Sequence, residues 1–308
     1  MSRIRAAVIG GGRNGEHQVS LASAAAVAAA LDPDRYQAVR LTIAPDGTWR
    51  DGAGAPIGLH AAVSVLQSCD VALPIVHGPH GEDGTLAALL ELAGVPYIGS
   101  GVRPGALAMD KWVTKLIASA LGIATAPGRL FTARTAAGCA WTGPVVVKPV
   151  AAGSSLGVCL VRDAESLPAA LAEALRHDDR VLVEEVVTGR EVDIAVLDGF
   201  VTPALEVVAD GFFDYEAKYS GSTVFRVPAP IDPAACKALE DAALALYDAL
   251  GCRGVARVDF FVTEAGPVLN EVNTMPGFTE HSQVPRMFAA AGWGYPELLD
   301  RLIRDTLA

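Results

Sequence analysis

No run of lysines and arginines occurs in the 308 residues, and acidic side chains outnumber basic ones by 35 to 24, a formal net charge of -11. Nucleic acid and anionic membrane surfaces attract clustered cations, so neither is an expected partner. A phosphate-bearing ligand would have to be met by individually placed cations. No Cys-x-x-Cys pair occurs either. Cys69, Cys139, Cys159, Cys236 and Cys252 are odd in number and widely spaced, which reads as free thiols in a reducing compartment. No spacing of histidines and cysteines suits zinc. No apolar run approaches the roughly 18 residues needed to span a bilayer. In "MSRIRAAVIG" the apolar part is too short for a secretory signal and a glycine loop follows. A cytoplasmic location is expected. The chain also lacks internal repeats and low-complexity linkers.

What is present suits sizeable cores: 51% of residues are hydrophobic and 19% charged, which fits one to three globular domains. Over residues 1–101 short apolar runs alternate with helical stretches. "IRAAVIG", "QAVRLTI", "DVALPIV" and "VPYIGS" read as strands, and "EHQVSLASAAAVAAAL" and "DGTLAALLELAG" as helices. That alternation predicts a parallel, doubly wound sheet. A helix over "MDKWVTKLIASALG" follows, and then the pattern changes. "GPVVVKPV", "LGVCLV", "RVLVEEVV", "REVDIAVL" and "FVTPALEVV" are closely spaced strands with one helix, "AESLPAALAEALRH", among them. They predict α+β units with antiparallel sheets, over 102–185 and 186–308. The polar stretch 210–229 has no periodicity and reads as a lid. The rest is a helix, "PAACKALEDAALALYDALG", two strands, "GVARVDFFV" and "PVLNEVN", and terminal helices.

Several segments place polar groups where chemistry could occur. Glu271 and Asn273 stand two apart on a strand, as do Arg257 and Asp259, so each pair shares a face. If the turn at Glu264–Gly266 makes the strands neighbours, three hard oxygen donors converge beside a guanidinium, a set suited to Mg²⁺ and phosphate. A solvated edge strand is the alternative. Lys148 ends a strand and a small-residue loop, Ala151-Ala152-Gly153-Ser154-Ser155, follows. This loop is either a phosphate cradle or a flexible turn, and it is not the G-x-x-x-x-G-K-[ST] pattern. Glu184, Glu185 and Glu191 sit at strand ends, where carboxylates bind ribose or an adenine amine, or are merely solvated turn charges. Gly10, Gly12 and Gly15 match the spacing of a dinucleotide loop, but no acidic residue ends the second strand. Glu16, opening the helix, would repel pyrophosphate and suit an ammonium. His77 follows a further strand at its carboxyl end. His17, His80 and His281 could each be surface or structural residues.

In chain order, "GGGRNGEHQVSLASA", "HGPHGEDGTLAALLELAGVPYIGSG", "AMDKWVTK", "VVVKPVAAGSSLGV", "VEEVVTGREVDIAVL", "FFDYEAKY", "RVDFF" and "NEVNTMPGFTEHSQVP" together resemble the D-alanine–D-alanine ligases of the ATP-grasp superfamily. The resemblance implies a three-domain α/β and α+β ATP-grasp fold with ATP clasped between the central and C-terminal sheets. It implies that Lys111 and Lys148 contact phosphates, and that Glu184, Glu185, Val187 and Glu191 hold adenine and ribose. Lys218 would reach the γ-phosphate. Asp259, Glu271 and Asn273 would ligate a pair of Mg²⁺ ions, with Mn²⁺ as a substitute. Glu16 would take the ammonium of the first D-alanine in a network with Ser154 and Tyr219. Arg257 and the backbone of Gly277 would stabilise oxyanions, and His77 and Ser282, with Lys218, would bind substrate. A homodimer making the D-alanyl-D-alanine of peptidoglycan precursors is implied.

The sequence departs from the family at Arg13-Asn14-Gly15, where many relatives carry a serine. It also departs at Phe213, and in a slightly shorter segment after Tyr219. Ligases using D-lactate or D-serine as acceptor, a biosynthetic amino-acid ligase, and a silent nucleotide-binding regulator are the alternatives.

Overall fold

The computed structural model describes residues 3–208 and 223–308. Ile4–Gly11 lies in a five-stranded sheet, next to its edge, and is parallel to Tyr36–Ile43 on one side and to the edge strand Val71–Pro74 on the other. Helix His17–Ala30 packs on it through small residues: Ser20, Ser23 and Val27 are buried. Gly10 allows that approach, since a Cβ there would lie 2.6 Å from that of Ala24. The sheet is not wholly parallel, as the alternation predicted. Trp49–Arg50 and Pro56–Ile57 extend it antiparallel, and helix Leu59–Gln67, unforeseen, follows. "VPYIGS" is not a strand but a single bridge between Ala72 and Tyr97. Prolines at 74 and 96 limit longer pairing there.

The expected helix over "MDKWVTKLIASALG" is Lys111–Ala120, and an unforeseen helix, Val102–Met109, precedes it across a break at Asp110. Asp110 is extended and caps the second helix by accepting from Val113 N–H at 2.9 Å, a strong N-cap choice. Its other carboxylate oxygen pairs with Arg180 at 2.7 Å. This break puts Lys111 in the first turn of a helix whose buried face is Lys111, Thr114, Lys115 and Ala118.

The second sheet is four-stranded and antiparallel, in the order Gly128–Thr132, Arg180–Glu185, Val145–Pro149, Cys159–Val161. The third is seven-stranded and built around Arg190–Leu197, Val255–Thr263 and Gly266–Asn273. "FVTPALEVV" splits into Phe200–Val201 and Leu205–Val208. Val224–Arg226, assigned above to the lid, is a strand pairing with Leu205–Val208. The rest of the predicted lid, with Lys218 and Tyr219, lies outside the described residues apart from its last few positions. Ala124–Thr125 joins the third sheet parallel to Gly266–Asn273, and Ala108 and Ala118 pack in its core. The helical pair after Gly101 is thus bound to the third sheet as well as leading into the second. Pro233–Leu250 is capped by Asp232 and ended by left-handed Gly251, as Pro at N1 and Gly beyond the end predict.

Candidate functional site

The turn after Thr263 makes Val255–Thr263 and Gly266–Asn273 an antiparallel hairpin. Its register sets Arg257 opposite Asn273 and Asp259 opposite Glu271. All four side chains therefore share a face, as the period-two pattern requires. Arg257 forks onto both oxygens of Asp259 at 2.7 Å, and Asn273 donates to the same carboxylate at 3.1 Å. Burial opposes the charge on Arg257, but Asp259, with Asp193 and Glu271, holds the guanidinium above its ordinary value. Arg257 also holds Gln283 at 2.8 Å, which in turn donates to Asp193 at 2.5 Å. Between Asp259 and Phe260 the register slips, so Asn270 is an extra residue and Leu269 faces Phe260. Such a bulge re-aims neighbouring side chains, and here Leu269, Asn270 and Glu271 all line one cleft.

That cleft lies between the second and third sheets, with a volume of about 360 Å³, the size of a small-molecule site. Lys111, Lys148, Glu184, Glu185, Val187, Glu191 and Glu271 all line it, together with Phe261 and Leu269. The nucleotide residues suggested by the sequence are thus gathered, apart from Lys218. Glu184 is clamped from both sides: Lys148 lies at 2.6 Å and Lys115 is in direct contact. Burial opposes ionisation of Glu184, but the two ammonium groups outweigh it and hold the carboxyl below its ordinary range. Lys148 also reaches Asn270 at 3.3 Å. Lys111 bridges the cleft's floor to its roof, donating to Ala152 O at 2.7 Å and pairing with Glu271 at 3.2 Å. Lys115 escaped the sequence reading. Its signal was the four-residue spacing from Lys111, which puts both on one helix face.

The loop after Lys148 carries two consecutive serines in the left-handed region, Ser154 at φ 49° and Ser155 at φ 56°. Non-glycine residues hold that conformation at a cost and cluster at functional sites. Ser154 donates to Glu16 Oε1. The other oxygen, Oε2, is buried and has no hydrogen-bond partner among the described residues. Glycine is required on both sides of it. A Cβ on Gly153 would stand 2.0 Å from Oε2 and one on Gly78, at φ +70°, would stand 2.3 Å away.

Asn14, in the Arg13-Asn14-Gly15 stretch that departs from the family, ties the first loop to the turn at His77–Pro79. Its amide donates to His77 O at 2.8 Å and Pro79 O at 2.6 Å, and its oxygen accepts from Glu16 N–H at 2.8 Å. One hydroxyl could not make all three bonds. His77 is buried with both ring nitrogens engaged by protein atoms, Met275 O at 2.8 Å and Ser23 Oγ at 2.9 Å. It does not stand with its polar atoms open to a ligand. Ser282 Oγ accepts from Thr279 N–H at 3.0 Å and is the side chain nearest to Gly277.

Glu82, also missed, accepts from Gly78 N–H at 2.6 Å and Met275 N–H at 3.2 Å. Burial first, and then the Glu16 charge, push its carboxyl up to about 8. Between the ordinary value and about 8, the folded chain holds a proton that the unfolded chain releases, so stability falls as pH rises through that window. Glu82→Gln is expected to flatten this dependence. The check is the unfolding midpoint from pH 5 to pH 8.5 for both proteins, and parallel curves would contradict it.

Two largely antiparallel sheets with flanking helices, closing on a cleft with lysines on one wall and paired acidic oxygens on the other, define an ATP-grasp architecture. Two family models match, "D-ala D-ala ligase N-terminus" over residues 5–65 and 56–100 and "D-ala D-ala ligase C-terminus" over 132–304. Relatives named D-alanine–D-alanine ligase include one from Mycolicibacterium vanbaalenii, 40% identical, covering 100% of this chain and 98% of that protein. Another, from Mycobacterium tuberculosis, is 40% identical over 99% of this chain and 96% of that protein. Among solved structures, the VanG D-Ala:D-Ser ligase from Enterococcus faecalis has a TM-score of 0.87 at 35% identity, covering 99% and 100% of the two chains. The D-alanine–D-alanine ligase from Bacillus anthracis complexed with ATP has a TM-score of 0.83 at 30% identity, covering 99% and 97%. The chain belongs to the D-alanine–D-alanine ligase family.

Proposed function

We propose that this chain joins two D-alanine molecules at the expense of ATP, forming the D-alanyl-D-alanine of peptidoglycan precursors. The observation that carries the reading is the juxtaposition of two sites. A lysine-walled nucleotide cleft ends at Glu271, and Lys111 ties that residue to the loop whose Gly153 and Ser154 lie against Glu16. ATP lies in the cleft with adenine and ribose at Glu184, Glu185, Val187 and Glu191 and phosphates at Lys111 and Lys148. Asp259, Glu271 and Asn273 fit Mg²⁺. Their oxygens are hard donors, they share one face of the hairpin in register, and the two carboxylates are held by Arg257 and Lys111. Bound there, the metal would neutralise charge on the phosphates. Among the described residues no three His, Cys, Asp or Glu side chains form a metal-binding group, and one of the three donors proposed here is an asparagine.

Glu16 Oε2, without a hydrogen-bond partner among the described residues, receives the ammonium of the first D-alanine. Its carboxylate oxygen attacks the γ-phosphorus, breaking the bond to ADP and forming an acyl phosphate. The unprotonated amine of the second D-alanine then attacks the carbonyl carbon, loses its proton, and phosphate leaves. Arg257 and the Gly277 N–H stabilise the oxyanions as they form. Ser282, with Lys218 from outside the described residues, holds the second substrate's carboxylate, and Tyr219 completes the Glu16–Ser154 network. Shielding the acyl phosphate from water is the task we assign to 210–229. The same reading divides the chain at residues 101 and 185 and places it in the cytoplasm as a homodimer. Among the described residues no helix is long and apolar enough to cross a membrane.

Phosphate release with ATP and D-alanine, set against D-serine and D-lactate as acceptors, tests the reaction. The likeness to a D-Ala:D-Ser ligase makes D-serine the arm to watch. D-alanine is expected to win, and preferential D-serine incorporation would overturn the acceptor assignment. Glu16→Gln is expected to raise KM for the first D-alanine by roughly tenfold or more, the worth of a hydrogen bond to a charged group. KM for ATP should hardly move. A change in ATP affinity instead would point to the dinucleotide reading of the first glycine loop.

A further inference from the structure

Four backbone groups flank Gly277, and each is held by a residue distant in sequence or at the far end of the terminal fold. Met275 N–H donates to Glu82 at 3.2 Å, and Met275 O accepts from His77 Nδ1 at 2.8 Å. Phe278 N–H donates to Ser23 Oγ at 3.3 Å, and Phe278 O accepts from Tyr295 at 2.5 Å. Pro276 has no N–H to hold. Ser23 and His77 touch each other at 2.9 Å, so a single buried strut joins the two sides of the loop.

The proton positions in the strut follow from the partners. A carbonyl can only accept, so His77 Nδ1 carries the hydrogen that faces Met275 O. Nε2 of the neutral ring must then accept, and Ser23 supplies the proton. The hydroxyl oxygen of Ser23 is left to accept from Phe278 N–H. With the neutral ring every one of these donors and acceptors is matched. An imidazolium would present a second N–H that Ser23 Oγ could accept, but the serine hydrogen would lose the acceptor it has here. Burial favours the neutral ring and Arg257 adds to that effect, while the Glu16 charge and the bond to Met275 O oppose it. Ser23 is fully buried, and His77 is only 3% exposed. Ser23 lies on the first helix and His77 after the third parallel strand, so the N-terminal sheet sets the position of a loop that belongs to the third sheet.

We infer that Ser23 and neutral, Nδ1-protonated His77 are positioning residues that fix the Met275–Phe278 loop so that Gly277 N–H meets the developing oxyanion. This rests on the ligase reading for the role of Gly277. It also reassigns His77, which acts through the loop and not on the substrate. A strut that acts only on the transition state should change turnover and leave substrate binding alone.

The test combines kinetics with a spectroscopic signature. Ser23→Ala and His77→Gln should each lower kcat by roughly tenfold to a hundredfold, the usual cost of a small misplacement. KM for ATP and for the first D-alanine should stay within about twofold, since the ring of His77 and the hydroxyl of Ser23 bond to each other and to Met275 and Phe278 and not to Glu16 or the cleft lysines. The double variant should be little worse than His77→Gln alone, because the two side chains act as one unit. A raised KM for D-alanine with unchanged kcat would return His77 to substrate binding, and additive losses would break the strut into separate contacts. Ring ¹⁵N shifts of His77 in the wild type provide a readout that does not depend on activity or on the stability of a variant. The expected result is the Nδ1–H form without titration from pH 6 to pH 9, and an Nε2–H ring or a titrating one overturns the inference. A wild type with no D-alanine-dependent turnover would sink the ligase reading, and the ring shifts would still decide the strut.

Discussion

Arg257→Ala is expected to lower kcat by roughly a hundredfold to a thousandfold, the usual loss when one preorganised oxyanion donor is removed. It is also expected to cost about 3–5 kcal/mol of stability, because it strips a buried carboxylate of its counter-charge. The side chains of Arg257 and Asp259 are only 12% and 5% exposed, so solvent cannot replace the lost partner. Arg257→Lys separates the two effects. Lysine restores a positive charge near Asp259 and should recover much of the stability. It cannot reproduce the two parallel bonds at 2.7 Å or keep Gln283 in place, so the rate should stay low. Chemical denaturation and steady-state turnover of the three proteins give both numbers. A lysine variant with full activity would mean that charge alone suffices, and an alanine variant of wild-type stability would remove Asp259 as the dependent partner.

Glu271→Gln should be nearly as damaging. Altering an outer-shell partner of a metal typically costs about 10–100-fold, so loss of a direct ligand should exceed ~100-fold in turnover. Two consequences follow from the geometry. Lys111 loses its carboxylate at 3.2 Å, and the oxygen set opposite Asp259 loses its charge. Turnover should therefore need much more Mg²⁺ than in the wild type, and Asn273→Ala should shift the same dependence. Near-normal turnover of either variant at low Mg²⁺ would remove these residues from the metal site.

The hairpin that carries Arg257, Asp259, Glu271 and Asn273 was legible because strand period and a tight turn leave a single way to bring the polar faces together. The bulge at Asn270 was not. A single inserted residue changes no periodicity over so short a strand, and its signature is only the pairing of Phe260 with Leu269. Lys111–Ala120 with its Asp110 cap was legible, but Val102–Met109 before it was not, because Pro104 and Gly105 weaken its helical pattern. Asn14 looked like a departure from the family because residue type was compared, not bonding capacity. Its three hydrogen bonds become visible only when the His77–Pro79 turn is placed beside it. His77 was the reverse case. Its position after a parallel strand suggested a ligand contact, yet burial and two protein partners occupy both nitrogens. Lys115 and Glu82 act through neighbours 69 and 193 residues away, contacts that no local pattern encodes.

In the proposed reaction one carboxylate oxygen of the first D-alanine, bound beside Glu16, becomes bonded to phosphorus. Turnover of D-alanine labelled with ¹⁸O in its carboxyl group follows that atom. The acyl phosphate route moves one labelled oxygen into each released phosphate, because the bond between carbon and that oxygen breaks when the amine displaces phosphate. Labelled phosphate in proportion to dipeptide is the predicted result. Unlabelled phosphate, with dipeptide still formed, would contradict it.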